Sequence, residues 1–400
     1  MPNYINASSV FISNNAFTNK THITKVDLRN IIFINNTMNR AFLNCFNLTK
    51  VTNISNSVTN MVSTFYNCTN LTSVPAIPNG VISMASTFYN CTNLTGIPTI
   101  PNSVTNMVST FNNCTNLVSS PTLSNSVTTL VNTFRNCTNL KTAPTIPNSV
   151  TNMYYTFAYC EKLTNPPVIP NKINNMLGTF FICTNLKTAP TIPNSVTTIR
   201  QAFFGCTNLI DAPIIPNSVV NMSQTFSNCT NLVNAPIIPN SVTNIETAFL
   251  ECISLINVPL IPRSITNLWM TFYNCRSLVI APEIPNSITD MHYTFYGCSN
   301  LTGNIYIRSN QISNATNCFH CFNSLNLSKN VFIPFTYENG INTKTYNSFI
   351  SAGYDTVGTK DGVYLKDINA TPTEPLPYQR DSTKDLVYNY STNSYELANN

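Results

Sequence analysis

The sequence predicts a repeat solenoid built of 23-residue coils, with a small mixed domain at its C-terminal end. Three observations predict it. Cysteines fall at 45, 68, 91, 114, 137, 160, 183, 206, 229, 252, 275 and 298, every gap being 23 residues. A phenylalanine stands three residues before each of them, from Phe42 to Phe295. A leucine stands three after, from Leu48 to Leu301. One coil is too short to bury these side chains, so they must stack as ladders. Phe65, Cys68 and Leu71 are one rung, Phe88, Cys91 and Leu94 the next, and the ladders are the expected core.

Within a coil, Leu71 to Ile77 is short, carries Pro75 and runs into Pro78. Proline lacks a donor and clashes with a preceding helical turn, so this piece reads as a short extended strand. Pro101-Asn102-Ser103 supplies a turn and a helix N-cap. Val81, Met84, Phe88 and Cys91 are spaced 3, 4 and 3, which predicts one face of a short α- or 3₁₀-helix. The chain then returns through Asn-Cys-Thr-Asn.

Residues 1–15 read as an N-terminal cap. Ala16-Phe17 with Ile23 imitates the Phe-to-Leu spacing in a degenerate first coil, Lys20 standing in the cysteine column and Phe42 following Phe17 by 25 residues. The last coil slips. Phe319 follows Phe295 by 24 residues and points to Phe322 as the cysteine-column residue, yet Cys321 follows Cys298 by 23. The solenoid is therefore expected over residues 16–325, in about fourteen coils. Residues 326–400 are expected to form a cap or attachment domain, with strands at 331–337 and 362–366, a helix at 346–352 and a linker near 371–377. Tyr388, Tyr390 and Tyr395 mark an edge strand or docking tail at its end.

The unit S-V-T-N-M-x-x-T-F-x-N-C-T-N-L, seen as Ser57 to Met61 followed by Phe65, Cys68 and Leu71, resembles the BspA-type leucine-rich-repeat surface proteins. The resemblance spans roughly residues 16–325. It implies a leucine-rich-repeat solenoid and display at a cell surface. The second proline of Pro75-Ala76-Ile77-Pro78 and its equivalents departs from that pattern and predicts an irregular strand ladder, since each proline removes a donor.

Charged residues make up 9% of the chain, so its polar surface comes from Asn, Thr and Ser. Residues 1–330 carry 15 Lys/Arg and 7 Asp/Glu. With no basic run among them, the chain lacks the clustered stripe of a nucleic-acid binder. No 18-residue apolar span is present, and none of the chain reads as membrane-spanning. The start Met-Pro-Asn-Tyr-Ile-Asn shows no secretory signal. An extracellular or cell-surface location, or incorporation into a virion, is expected.

The cysteines read as small buried hydrophobes, because ladder residues point the same way and cannot converge as a disulfide requires. Cys318-Phe-His-Cys321 has the spacing of half a metal site but no second pair nearby. His22, His292 and His320 lie in separate coils, acids are scattered, and glycine is too rare for a phosphate loop. No catalytic residue, metal or cofactor is expected. Asn67-Cys68-Thr69 and its repeats match a glycosylation acceptor, but their recurrence in one column reads as turn chemistry.

Binding is expected in the columns six, five and two residues before each cysteine, which vary from coil to coil. They hold Tyr154 and Tyr155, Arg200 and Phe204, Trp269 and Tyr273, then His292, Tyr293 and Tyr296. On a helix, Trp269/Tyr273 and His292/Tyr296 would form an aromatic strip on two neighbouring coils. That strip is either packing beneath the C-terminal domain or an anchor for a protein or glycan on a cell surface. The chain reads as a non-enzymatic recognition or adhesion module. The alternative is a structural part of a phage virion or tail, its solenoid a spacer and its C-terminal domain docked to other virion proteins.

Overall fold

The computed structural model describes residues 11–29, 31–321, 329–337 and 340–369, with the backbone of 4–5, 10, 386–389 and 394–397. Phe322, Leu325, Tyr390 and the segment 371–377 lie outside the described residues. In chain order the elements are β1 (Tyr4–Ile5), β2 (Val10–Ile12), β3 (Lys25–Asp27), β4 (Ile31–Phe33), β5 (Lys50–Thr52), β6 (Gly303–Tyr306), β7 (Lys329–Ile333), α1 (Lys344–Ser351), β8 (Val363–Asp367), β9 (Leu386–Asn389) and β10 (Ser394–Leu397). The parallel sheet β1-β3-β5 and the pair β2-β4 open the solenoid, and the parallel sheet β6-β7-β8 closes it. β9 and β10 pair antiparallel.

Between β5 and β6 the coils repeat with little regular strand. Where the prolines recur, neighbouring coils meet through single parallel bridges, such as Thr142 with Asn165 and Asp211 with Asn234. Longer strands appear at the ends, in segments free of the Pro-x-Ile-Pro pair. This is the irregular ladder that missing proline donors require.

The phenylalanines form an unbroken stack from Phe17 to Phe319, with neighbouring ring centroids 5.0 to 5.8 Å apart. The ring of Phe319 stacks parallel on Phe295, which settles the register of the last coil. That coil holds one extra residue, Phe319 is in the phenylalanine column, and Cys318 takes the column four before the cysteine.

The expected helix at Val81–Cys91 is replaced by two consecutive turns. In the equivalent stretch of the preceding coil, Thr64 N donates to Met61 O (3.1 Å) and Cys68 N to Phe65 O (3.0 Å). Alternate N–H groups cross to the next coil: Met61 to Ser83 O, Ser63 to Ala85 O, Phe65 to Thr87 O and Asn67 to Tyr89 O, at 2.8 to 3.0 Å. Ser63 and Asn67 have φ of 54° and 59°, the left-handed region that a helix does not visit. The 3, 4, 3 spacing thus marks inward corners of a double turn. Ser103, expected as a helix N-cap, instead donates from Oγ to Val81 O of the preceding coil (2.6 Å).

Every ladder cysteine is buried and free. Each thiol donates to a phenylalanine carbonyl one coil back, as Cys68 does to Phe42 (3.1 Å) and Cys183 to Phe157 (3.0 Å). Burial pushes these thiols up, Cys45 to about 11 and Cys206 to about 12. Beside them runs a column of fully buried threonines. Thr87 Oγ1 donates to Met84 O of its own coil and approaches Met61 O of the coil before, both at 2.8 Å. Alanine replaces threonine at Ala202 and Ala248, also fully buried.

At the C-terminal end, Phe319 is covered by Phe349 of α1 and by Tyr354, ring centroids 6.3 and 6.0 Å away. Tyr354 Oη accepts from Phe319 N (3.1 Å), and Thr345 Oγ1 accepts from Ile312 N (3.0 Å) and donates to Ser309 O (2.7 Å). Thr343 caps α1 by accepting from Tyr346 N (3.1 Å).

Candidate binding surface

The double turns of successive coils line up as one long face. Two features aim its side chains. An Asn or Asp eight residues before the cysteine accepts from the N–H two residues on, as Asn152 does from Tyr154, Asn267 from Trp269 and Asp290 from His292, at 2.8 to 3.1 Å. The residue just before the cysteine has positive φ and is often Asn, whose amide bonds the same residue of the preceding coil. Asn67 donates to Asn44 (2.8 Å) and Asn90 to Asn67 (2.9 Å), and Asn113 and Asn136 continue the line. The glycosylation-like triplets at Asn67, Asn90, Asn113 and Asn136 therefore spend their amides inside the array.

The variable columns hold two aromatic groups. In the middle coils Tyr155 lies across Gly178, where any Cβ would fall inside its ring, and its hydroxyl donates to Gln201 Oε1 two coils on (2.7 Å). Gln201 in turn donates to Gln224 (2.6 Å). Tyr154 Oη accepts from Asn175 (2.8 Å), and Phe181 stacks on Phe204 at 4.7 Å. Arg135 lies over the rings of Tyr155 and Tyr159, at 5.5 and 5.8 Å, and Arg200 is exposed.

In the late coils Trp269 stacks on His292 (5.7 Å) and Tyr273 on Tyr296 (4.7 Å), while Tyr293 tilts against Tyr296 (5.5 Å). His292 Nδ1 is 2.5 Å from Asp290 Oδ1. Trp269 is 37% exposed, His292, Tyr293 and Tyr273 are half-buried, and Tyr296 is buried beneath them. The expected residues do come together, through coil stacking rather than helix spacing. Tyr296 is a floor for the group and not a contact surface.

The fixed Asn and Thr columns that aim these side chains carried a signal in the sequence. Gly205 and Gly297 interrupt the asparagines before the cysteine, and glycine alternating with asparagine marks left-handed backbone. Cys318 is fully buried in the threonine column, whereas Cys321 is half-buried and His320 Nδ1 lies 3.1 Å from Asp361 Oδ1. Among the described residues no three His, Cys, Asp or Glu side chains gather as a metal site. On the opposite, proline-bearing edge, Pro166, Pro167, Val168, Pro190 and Pro193 line a shallow apolar groove of about 280 Å³. No helix of the described residues is long and apolar enough to cross a membrane.

The sequence model of the BspA type leucine rich repeat region matches residues 4–118, 108–233 and 222–349. Among solved structures, a leucine-rich repeat protein from Bacteroides ovatus superposes with a TM-score of 0.69 at 26% identity, covering 90% of this chain and 87% of its own. A leucine rich cell surface protein from Faecalibacterium prausnitzii gives a TM-score of 0.47 at 22% identity, covering 86% and 89%. No curated protein matches the sequence.

Proposed function

Because the chain belongs to the BspA-type leucine-rich-repeat family, we propose that it is a non-enzymatic recognition module, displayed at a surface, which binds a macromolecular partner through its double-turn face. The observation that carries this is the split between fixed and variable columns. The Phe, Cys, Leu, Thr and Asn columns are committed to holding coils together. The freely varying columns place Tyr154, Tyr155, Arg200 and Phe204 in one group and Trp269, Tyr273, His292 and Tyr293 in another, partly exposed on the same face. Aromatic side chains of that kind give large contact area for little ordering entropy.

The test is adhesion of the whole chain to bacterial and host cells. Trp269→Ala/Tyr293→Ala and Tyr154→Ala/Arg200→Ala are compared with Ile341→Asp/Val357→Asp, a pair of exposed sites in the C-terminal part. Loss of adhesion in either face variant, with melting unchanged, supports the reading. Loss only in the C-terminal pair would move the function to residues 329–369 and leave the solenoid as a spacer.

A further inference from the structure

The binding face is electrically two-ended, and we propose that its partner is a protein segment of matching block charge, acidic over the middle coils and basic over the late ones, rather than a glycan. This rests on the reading above that the double-turn face is the recognition surface, and it adds the class of partner.

Within the double turns themselves the charges of the middle and late coils separate, with Glu161 and Arg276 outside the turns, one residue past their cysteines. In the turns of the coils ending at Cys137 to Cys206, the ionised side chains are Arg135 and Arg200. In the turns ending at Cys252 to Cys298 they are Glu246, Glu251 and Asp290, joined only by the titratable His292. The turn between them, Asn221 to Asn228, is neutral and holds Ser223, Gln224 and Ser227. Among the described residues Arg135, Arg200, Glu246 and Glu251 make no ion pair, since those formed are Arg29–Asp27, His292–Asp290, Arg308–Glu283 and His320–Asp361. Glu246 and Glu251 are instead held by Asn267 and Asn274, each donating at 2.7 Å. Those amides leave lone pairs of each carboxylate open to a partner, and both residues are part-exposed. Fixed charges of one sign at each end set orientation and register on a complementary partner, and repel one of the wrong polarity.

The rings argue against a glycan. Sugars pack on the open face of an aromatic ring. Here the planes are nearly parallel along the solenoid axis, at 2° for Tyr66–Tyr89, 9° for Phe181–Phe204, 6° for Tyr273–Tyr296 and 21° for Trp269–His292. In these pairs neighbouring rings cover one another's faces and turn edges and hydroxyls to the solvent, while Tyr155 and Tyr293 meet their neighbours at 67° and 55°. A ring edge is the positive rim of the quadrupole, and it suits carbonyl oxygens and the faces of partner rings. A polypeptide supplies both.

The experiment uses the whole chain and two synthetic peptides of identical composition. One has its glutamates grouped at one end and its arginines at the other, and the second has them alternating. The chain has 1 tryptophan, so emission of Trp269 reports binding at the acidic end. The grouped peptide should bind about tenfold tighter than the alternating one, a preference that added salt erodes. E246Q/E251Q and R135Q/R200Q should each abolish that preference without changing the melting temperature. Equal affinities, no binding of either peptide, or a preference surviving both double variants would overturn the proposal. Quenching of Trp269 by soluble oligosaccharides but not by the grouped peptide would overturn it in favour of a glycan. In that case the face remains the recognition surface, whereas adhesion insensitive to both Trp269→Ala/Tyr293→Ala and Tyr154→Ala/Arg200→Ala would remove the underlying reading itself.

Discussion

The Cys160 thiol donates a hydrogen bond to the Phe134 carbonyl, 3.1 Å away and one coil earlier. The same pair recurs along the array, so each cysteine is held as a protonated donor facing a backbone oxygen. Titration of the denatured, non-reduced chain should count all 14 thiols as free. In the native protein only the half-buried Cys321 should react at neutral pH. A native count of several fast thiols would contradict the buried ladder.

Burial also makes stability sensitive to alkali. The folded thiols are raised from 9.0 to about 11 at Cys45 and to about 12 at Cys206, so above pH 9 the unfolded chain loses protons that the folded chain keeps. The stabilisation is intact below pH 9 and should be lost as pH rises from 9 towards 12, by about 1.4 kcal/mol per buried thiol per pH unit. Denaturant midpoints measured across that range should fall less steeply in C137A/C160A/C183A.

Position in the stack should set the cost of losing a ring. Phe157 is fully buried between Phe134 and Phe180, at 5.7 and 5.8 Å, and Phe157→Ala should cost about 3–5 kcal/mol. Phe17 is half-buried at the start of the stack, packed on Phe42 at 5.0 Å. Phe17→Ala should cost clearly less by chemical denaturation, and equal losses would contradict a one-dimensional array.

Gly178 and Tyr155 should be coupled. Gly178 has φ of 57° and no room for a Cβ under the Tyr155 ring, although Ser, Asn and Gln occupy the same backbone conformation in other coils. Gly178→Ala should therefore destabilise through the ring as well as through the left-handed backbone. A double-mutant cycle should show Tyr155→Ala relieving part of that loss, by about 0.5–3 kcal/mol. Additive effects would show that the ring is free to move aside.

The buried threonines offer a milder case. Thr156 Oγ1 donates to Leu130 O at 2.8 Å, and its loss in Thr156→Ala should cost about 1–2 kcal/mol by thermal or denaturant unfolding. Ala202 and Ala248 in the same column show that the array tolerates the loss singly.

The period, the core columns and the disruptive prolines were legible because each is a repeated residue type with one physical use. Val81, Met84, Phe88 and Cys91 misled on local conformation, because a double turn and a short helix both put residues spaced 3, 4 and 3 on one side. The left-handed backbone at Asn67, Asn90 and Gly205 decides between them. Tyr296 could not be read as buried, since its cover comes from Tyr273 one coil back and Tyr293 in its own turn. The two-ended charge was obscured because its members occupy different columns, and only the shared face unites them.

In the cysteine column, the buried threonine column and the asparagine column before the cysteine, the side-chain bonds between coils run one way. Thiols, threonine hydroxyls and the asparagine amides of each coil donate to oxygens of the coil before it. A polypeptide leaves the ribosome N-terminus first, so every new coil meets a finished row of carbonyl and amide acceptors on the one already formed. The array can thus crystallise coil by coil during synthesis, each unit templated by its predecessor, with Phe349 and Tyr354 arriving last to seal the growing end.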